Sequence, residues 1–346
     1  MPSSMKAVVL EQFGERLCLS ARPVPPVGPG DALVRVACCG VCGTDLKIVR
    51  GELPPSVIRL PHVPGHECAG EVVEVGEGVT GLKPLDAVVV YFYCPCHECR
   101  YCRQGRENIC PSVKRFGFEL PGGYAEYLSV PARQLCPVRG IPLRRAAILP
   151  DAVATAYHAV KTRGRATPGE RVLVVGGGGI GVHACLIARI LGAEVAVAEI
   201  EPTKLPQLRK LLPEIVLFNP REQDPDEFLK DWTRGERVDV VIETVGSAET
   251  LRWSPSSLSP GGRLVLVGYD PKRPVQLDAL QVHYRELEIL GTRVSTQKEL
   301  EEVIGLVEQG RLTPVVGRSY PLAEANEALQ AVAEGQIFGR VVLDIS

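Results

Sequence analysis

RVLVVGGGGIGV, residues 171–182, sets a short apolar β-like run against a glycine-rich turn and the start of a helical stretch. Gly176, Gly178 and Gly181 satisfy G-x-G-x-x-G at the point where strand gives way to helix. The first glycine permits a tight turn, the second a close approach of backbone to a pyrophosphate, and the third close packing of helix on strand. The helix N-terminus adds unpaired N–H groups and a positive dipole end. The stretch therefore reads as a dinucleotide-binding turn, with Ile180 among its cofactor-binding residues. Glu199 ends the next β-like run, about twenty residues on, where a carboxylate can take the adenosine ribose hydroxyls. A 2′-phosphate within ~4 Å of it would be repelled by roughly 4 kcal/mol per charge pair at an effective dielectric near 20. No Arg occurs at 200–203 to offset this, so NAD is expected over NADP. Lys204 reads equally as a ribose contact and as an exposed helix lysine.

Outward from this turn, strand-like and helical stretches alternate. Glu194–Ala198, Val238–Glu243, Arg263–Val267 and Leu287–Leu290 read as strands, with helices from Ile180 to Leu191, after Thr203 and near Glu249. Such βαβ alternation implies a doubly wound parallel sheet of α/β type over 151–290. Residues 1–150 differ in texture: Val-, Gly- and Pro-rich, with short β-like runs at Ala32–Ala37, Ala69–Val75 and Ala87–Val90. After Gly291 come two helical stretches, Gln297–Gln309 and Leu322–Glu334, and a last strand, Gly339–Ile345. At 346 residues, 45% hydrophobic and a formal charge of −2, the chain has room for two domains and no global charge to favour nucleic acid or anionic lipid. The opening residues lack the basic-then-apolar profile of a signal peptide, and no window offers ~18 uninterrupted apolar residues, so a cytoplasmic protein with no membrane partner is expected.

Five of the twelve cysteines fall between Cys94 and Cys110. In a reducing compartment such a cluster points to metal rather than disulfides. Cys96, Cys99, Cys102 and Cys110, spaced C-x2-C-x2-C-x7-C, can wrap four thiolates around one zinc ion; four thiolates leave no open position, which makes the site structural. Cys94 and His97 are spare donors, and Arg100, Arg103 and Arg106 are placed to balance the thiolate charge. Cys42 in GVCGTD and His66 in PGHE are the first two candidate ligands of a second, open zinc site. Asp151, at the junction of the two textures, is the candidate for the third, which would put the ion in an interdomain cleft. The plainer reading of Asp151 is the N-cap of the helix AVATAYHAV.

Gly65-His66-Glu67, Gly70, Gly76 and Val79 form the pattern GHE-x2-G-x5-G-x2-V, preceded by GVCGTD and followed by the cysteine lobe and the glycine turn. In this order the chain resembles the zinc-containing medium-chain dehydrogenase/reductases, typified by alcohol dehydrogenases. The resemblance implies a β-rich, GroES-like catalytic domain from residues 1–150 and 291–346 around the Rossmann domain, and a homo-oligomer, a tetramer or a dimer. It makes Cys42, His66 and Asp151 ligands of a catalytic zinc, Glu67 a carboxylate able to ligate transiently, and Asp45 the group that orients His66. Thr44 becomes the proton acceptor, Thr155 a nicotinamide contact and Arg340 a pyrophosphate contact. Relatives commonly carry a cysteine where Asp151 stands and a relay histidine where Lys47 stands.

The activity so implied is hydride transfer between an alcohol, deprotonated on zinc, and NAD, giving an aldehyde or ketone. Rival readings are a polyol, sugar or threonine dehydrogenase or an enoyl reductase of the same build, and, in another class, a non-catalytic protein that binds NAD and zinc. Tyr93, Phe116 and Phe118 are candidates for an apolar substrate pocket, and equally for core packing.

Overall fold

The computed structural model describes residues 2–54 and 56–345. The chain divides into two units, Met1–Ala154 with Ser295–Ser346, and Thr155–Val294.

In the second unit a six-stranded sheet runs in the order Val216–Phe218, Glu194–Ala198, Arg171–Val175, Val238–Glu243, Leu258–Leu266, Glu288–Gly291, with every neighbouring pair parallel. Counted along the chain this is 3-2-1-4-5-6, the doubly wound dinucleotide-binding order. RVLVV and EVAVA are near-continuous apolar runs because a strand covered on both faces has no solvent side to supply with polar residues. Leu173, Val175, Ala196, Ala198 and Val241 accordingly share a buried core with Phe218, Leu229 and Leu264. The helices between strands start on local signals: Asp224 accepts the N–H groups of Asp226 and Glu227 ahead of Pro225–Thr233, and Ser247 accepts that of Thr250 ahead of Ala248–Trp253. Strand order reverses between Arg171–Val175 and Val238–Glu243, so the carboxyl ends of these two strands flank the crevice where such sheets bind ligands.

In the first unit a seven-stranded sheet runs Val316–Pro321, Arg340–Asp344, Asp31–Val41, Glu67–Val75, Ala87–Val90, Leu135–Pro137, and Tyr127–Pro131 also pairs with Asp31–Val41. Its pairs are antiparallel except Val316–Pro321 with Arg340–Asp344. Strand register gathers three side chains of interest. Gly40 lies opposite Glu67 and Val41 opposite Val341, so Cys42, His66 and Arg340 all come to the same end of three adjacent strands.

The stretch after Leu149 is not the regular helix expected from AVATAYHAV. A π-helical turn, Leu149–Val153, leads into an α-helical turn, Ala154–Tyr157, and a second π-helical segment, His158–Arg163. Asp151 therefore sits inside a π turn rather than at an N-cap, and such widened turns re-aim side chains at functional sites.

Candidate active site

Cys42 ends its strand and precedes the helix Gly43–Val49; Asp45, fully buried in the first turn, accepts the Cys42 N–H at 2.8 Å. The same carboxylate receives the Tyr124 hydroxyl at 3.3 Å and faces His66 Nδ1 at 3.4 Å. That nitrogen and Asp45 Oδ1 are otherwise unpartnered and buried, so Asp45 claims Nδ1 and leaves Nε2 for the site. Asp151 Oδ2 lies 3.6 Å from His66 Nε2 and 3.5 Å from Cys42 Sγ. Bonds of ~2.0–2.3 Å to a tetrahedral zinc put its donors ~3.3–3.8 Å apart, so these three atoms fit one ion. Glu67 is close enough to join them: one donor atom from each of Cys42, His66, Glu67 and Asp151 can be chosen so that all lie within 4.8 Å of one another.

Electrostatics explain how such a cluster survives burial. Desolvation pushes the Glu67 carboxyl up to about 8, against the nearby Arg340 charge that lowers it. Asp151 is desolvated too, yet hydrogen bonding to His66 and the charge of Arg340 hold it far below the usual carboxylate range. Burial would lower His66, but the Asp45 charge and hydrogen bonds to Asp151 and Asp45 raise it well above an ordinary imidazole. Arg340 supplies the counter-charge. The family resemblance makes this arginine a pyrophosphate contact; in the structure its buried guanidinium donates to Glu67, Nε to Oε1 at 2.9 Å and to Oε2 at 3.1 Å, and its Nη2 to Asp151 Oδ2 at 2.6 Å. Two buried carboxylates without a cation would be costlier than an arginine withheld from solvent.

Around the donors, Thr44 Oγ1 lies 3.6 Å from Cys42 Sγ. The rings of Phe92 and Phe118 flank His66 at centroid distances of 5.1 and 5.2 Å. Phe116 and Phe118 also line a cavity of about 690 Å3 whose lining includes none of Cys42, Thr44, His66, Glu67 and Asp151, and Tyr93 packs on Phe92. Lys47 is half-buried on the Gly43–Val49 helix, and Thr155 is buried. Phe92, Tyr124 and Gly40 are not evident from sequence. The aromatic run Tyr91-Phe92-Tyr93 hints at the first. Nothing local marks Tyr124, and Gly40 matters because a Cβ there would lie 2.2 Å from Glu67 Oε2.

In the cysteine lobe, Cys96, Cys99, Cys102 and Cys110 form a second donor group, apart from Cys94 and His97. Sulfur separations of 3.5 Å for Cys99–Cys102 and Cys110–Cys96 and 3.9 Å for Cys96–Cys102 match the ~3.8 Å edge of a zinc tetrathiolate. Arg103 donates to the Glu98 carbonyl and Arg100 to the Tyr101 hydroxyl, while Arg100 also feels the Cys99 charge. Backbone N–H groups of Cys99 and Cys96 reach the sulfurs, and hydrogen bonds from Glu98 and Cys99 lower the Cys96 thiol to about 7.

At the glycine turn, Gly176 has φ +90°, and a Cβ on Gly181 would lie 1.8 Å from the Gly176 carbonyl oxygen, whereas one on Gly178 would meet nothing. The turn is thus closed on the side of its own strand and open where a phosphate would approach. Glu199, buried beside it, accepts the N–H groups of Gly177 at 2.7 Å and Glu201 at 2.8 Å. Lys204 is buried 3.8 Å from Glu199, not exposed on its helix.

Comparison with known proteins agrees with this geometry. Residues 28–140 match the alcohol dehydrogenase GroES-like domain family, and residues 179–309 the zinc-binding dehydrogenase family. An alcohol dehydrogenase of Geobacillus stearothermophilus is 34% identical, the match covering 99% of this chain and 100% of the relative. The chain belongs to the zinc-containing medium-chain dehydrogenase/reductases. Another relative, the NAD-dependent alcohol dehydrogenase of Sulfolobus acidocaldarius, is also 34% identical, over 99% of this medium-chain dehydrogenase/reductase and 100% of its own length. The crystal structure of AibC superimposes with a TM-score of 0.92 at 38% identity, covering 99% of this chain and 96% of that one.

Proposed function

We propose that this dehydrogenase moves hydride between an alcohol and NAD, yielding an aldehyde or ketone, at a zinc site formed by Cys42, His66 and Asp151. The observation that carries this reading is the convergence of a thiol, an imidazole nitrogen and a carboxylate oxygen, with Thr44 alongside: three donors leave a tetrahedral ion one open position. When bound, zinc supplies Lewis acidity that can bring the pKa of a coordinated water down to ~7, and NAD supplies the hydride acceptor. The protein does the rest. Asp45 fixes the His66 ring, the Thr44 hydroxyl accepts the substrate proton as it gives up its own towards the cofactor ribose and solvent, and Phe92 and Phe118 keep one flank of His66 dry. Gly176, Gly178 and Gly181 cradle the pyrophosphate, and Thr155 is read as a nicotinamide contact.

Cys96, Cys99, Cys102 and Cys110 would hold a second, structural zinc, giving two per chain. Glu199 favours NAD over NADP, because its buried carboxylate would repel a 2′-phosphate. The apolar rings beside His66 favour simple aliphatic or aromatic alcohols over polyols. A homo-oligomer, tetramer or dimer, is supported by the exposed Leu280 and Tyr284 on the helix Ala279–Tyr284. A cytoplasmic setting is supported by cysteines that are all unpaired. The test is a panel of primary, secondary, benzylic and polyol substrates with NAD and with NADP. NADH formation from simple alcohols is expected, and no turnover of any alcohol with either cofactor would refute the reading.

A further inference from the structure

By distance alone Glu67 is a metal donor. Its Oε1 lies 4.0 Å from His66 Nε2, and it belongs to the same group of converging atoms as Cys42, His66 and Asp151. It is also fully buried. Arg340 sets it apart. The guanidinium Nε donates to both Glu67 oxygens at 2.9 and 3.1 Å, Nη2 donates to Oε1 as well, and the same Nη2 reaches Asp151 Oδ2 at 2.6 Å. One planar fork thus fixes the spacing of two carboxylates: it engages both oxygens of Glu67 and reaches Asp151 at Oδ2, the oxygen that also faces Cys42 and His66. The facing strand cannot do this job, because Glu67 sits opposite Gly40, which has no side chain to hold it.

We propose that Arg340 is a positioning residue that keeps Glu67 out of the metal's ligand set and so preserves the open position a substrate needs. Without the guanidinium, a desolvated carboxylate beside a dication is drawn towards the metal. The site would then close with four protein donors, the arrangement of structural rather than catalytic zinc. The proposal rests on Cys42, His66 and Asp151 being zinc ligands, as the proposed activity does.

The test uses the full-length protein and its Arg340→Gln, Arg340→Lys and Glu67→Gln/Arg340→Gln variants. Zinc affinity is read by competition with a chromophoric chelator. Access to the open position is read from the visible spectrum of the cobalt-substituted protein titrated with imidazole. Arg340→Gln should hold the zinc of the Cys42 site about tenfold or more tighter and lose the imidazole response, and the double variant should regain both wild-type properties. Should Arg340→Gln not fold, Arg340→Lys, with a single point donor in place of the fork, should weaken imidazole binding by about threefold or more. A wild-type imidazole response in Arg340→Gln or Arg340→Lys, or a double variant as closed as Arg340→Gln, overturns the proposal. His66→Ala separates this from failure of the ligand reading. If it keeps both zinc equivalents, the ligand reading is wrong; if it loses one while Arg340→Gln behaves as wild type, only the role of Arg340 is.

Discussion

Cys42, Asp45, His66, Glu67 and Asp151 crowd one buried spot, with the Arg340 guanidinium among them. At this scale each group is defined by the one it restrains. Asp45 receives the Cys42 N–H and the Tyr124 hydroxyl, which leaves its other oxygen to direct the His66 ring. Asp45→Asn should therefore weaken zinc retention by about 10–100-fold, measured by chelator competition, with the fold intact by circular dichroism. In the proposed mechanism Thr44 has a different duty. Thr44→Ala should lower turnover about 100-fold, the scale of one positioned proton-transfer group, with zinc content unchanged by metal analysis. The identities of Cys42, His66, Glu67 and Asp151 were legible because they stand in short motifs or at a change of texture. The partners of Arg340 were not: it meets Glu67 across 273 positions of sequence, and only strand register brings them together.

The elements differ in how strongly they announce themselves. RVLVV and EVAVA were readable to the residue because buried parallel strands are uninterrupted apolar runs. Val216–Phe218, three residues long, and the half-polar Val316–Pro321 carry no such signal. The π turn at Leu149–Val153 was also silent, since a widened turn leaves no distinct periodicity in sequence, yet it is what places Asp151. At the glycine turn, sequence and structure tell one story. Gly181→Ala would set a methyl 1.8 Å from the Gly176 carbonyl and force the helix off its strand. NADH affinity, followed by fluorescence titration, should fall about tenfold or more while both zinc equivalents stay bound.

For the whole molecule, the two units divide the labour: one holds the metal donors and the other the glycine turn. The C-terminal strand Arg340–Asp344 is built into the sheet begun by Asp31–Val41, so the metal site is assembled from both ends of the first unit's sequence. Composition could not reveal this, because the tail reads only as two helices and a strand; the family resemblance supplied it. The fold class was legible from alternation, whereas the first unit's sheet order depends on long-range pairing that no local pattern encodes. If an open zinc site at Cys42, His66 and Asp151 does the chemistry, activity and metal at that site must rise and fall together. The decisive experiment is alcohol-dependent NADH formation measured against zinc content as a chelator strips the protein and zinc is returned. Activity should vanish with the zinc lost from the Cys42 site and return in proportion when it is restored; full activity in protein shown to be free of metal would contradict this mechanism.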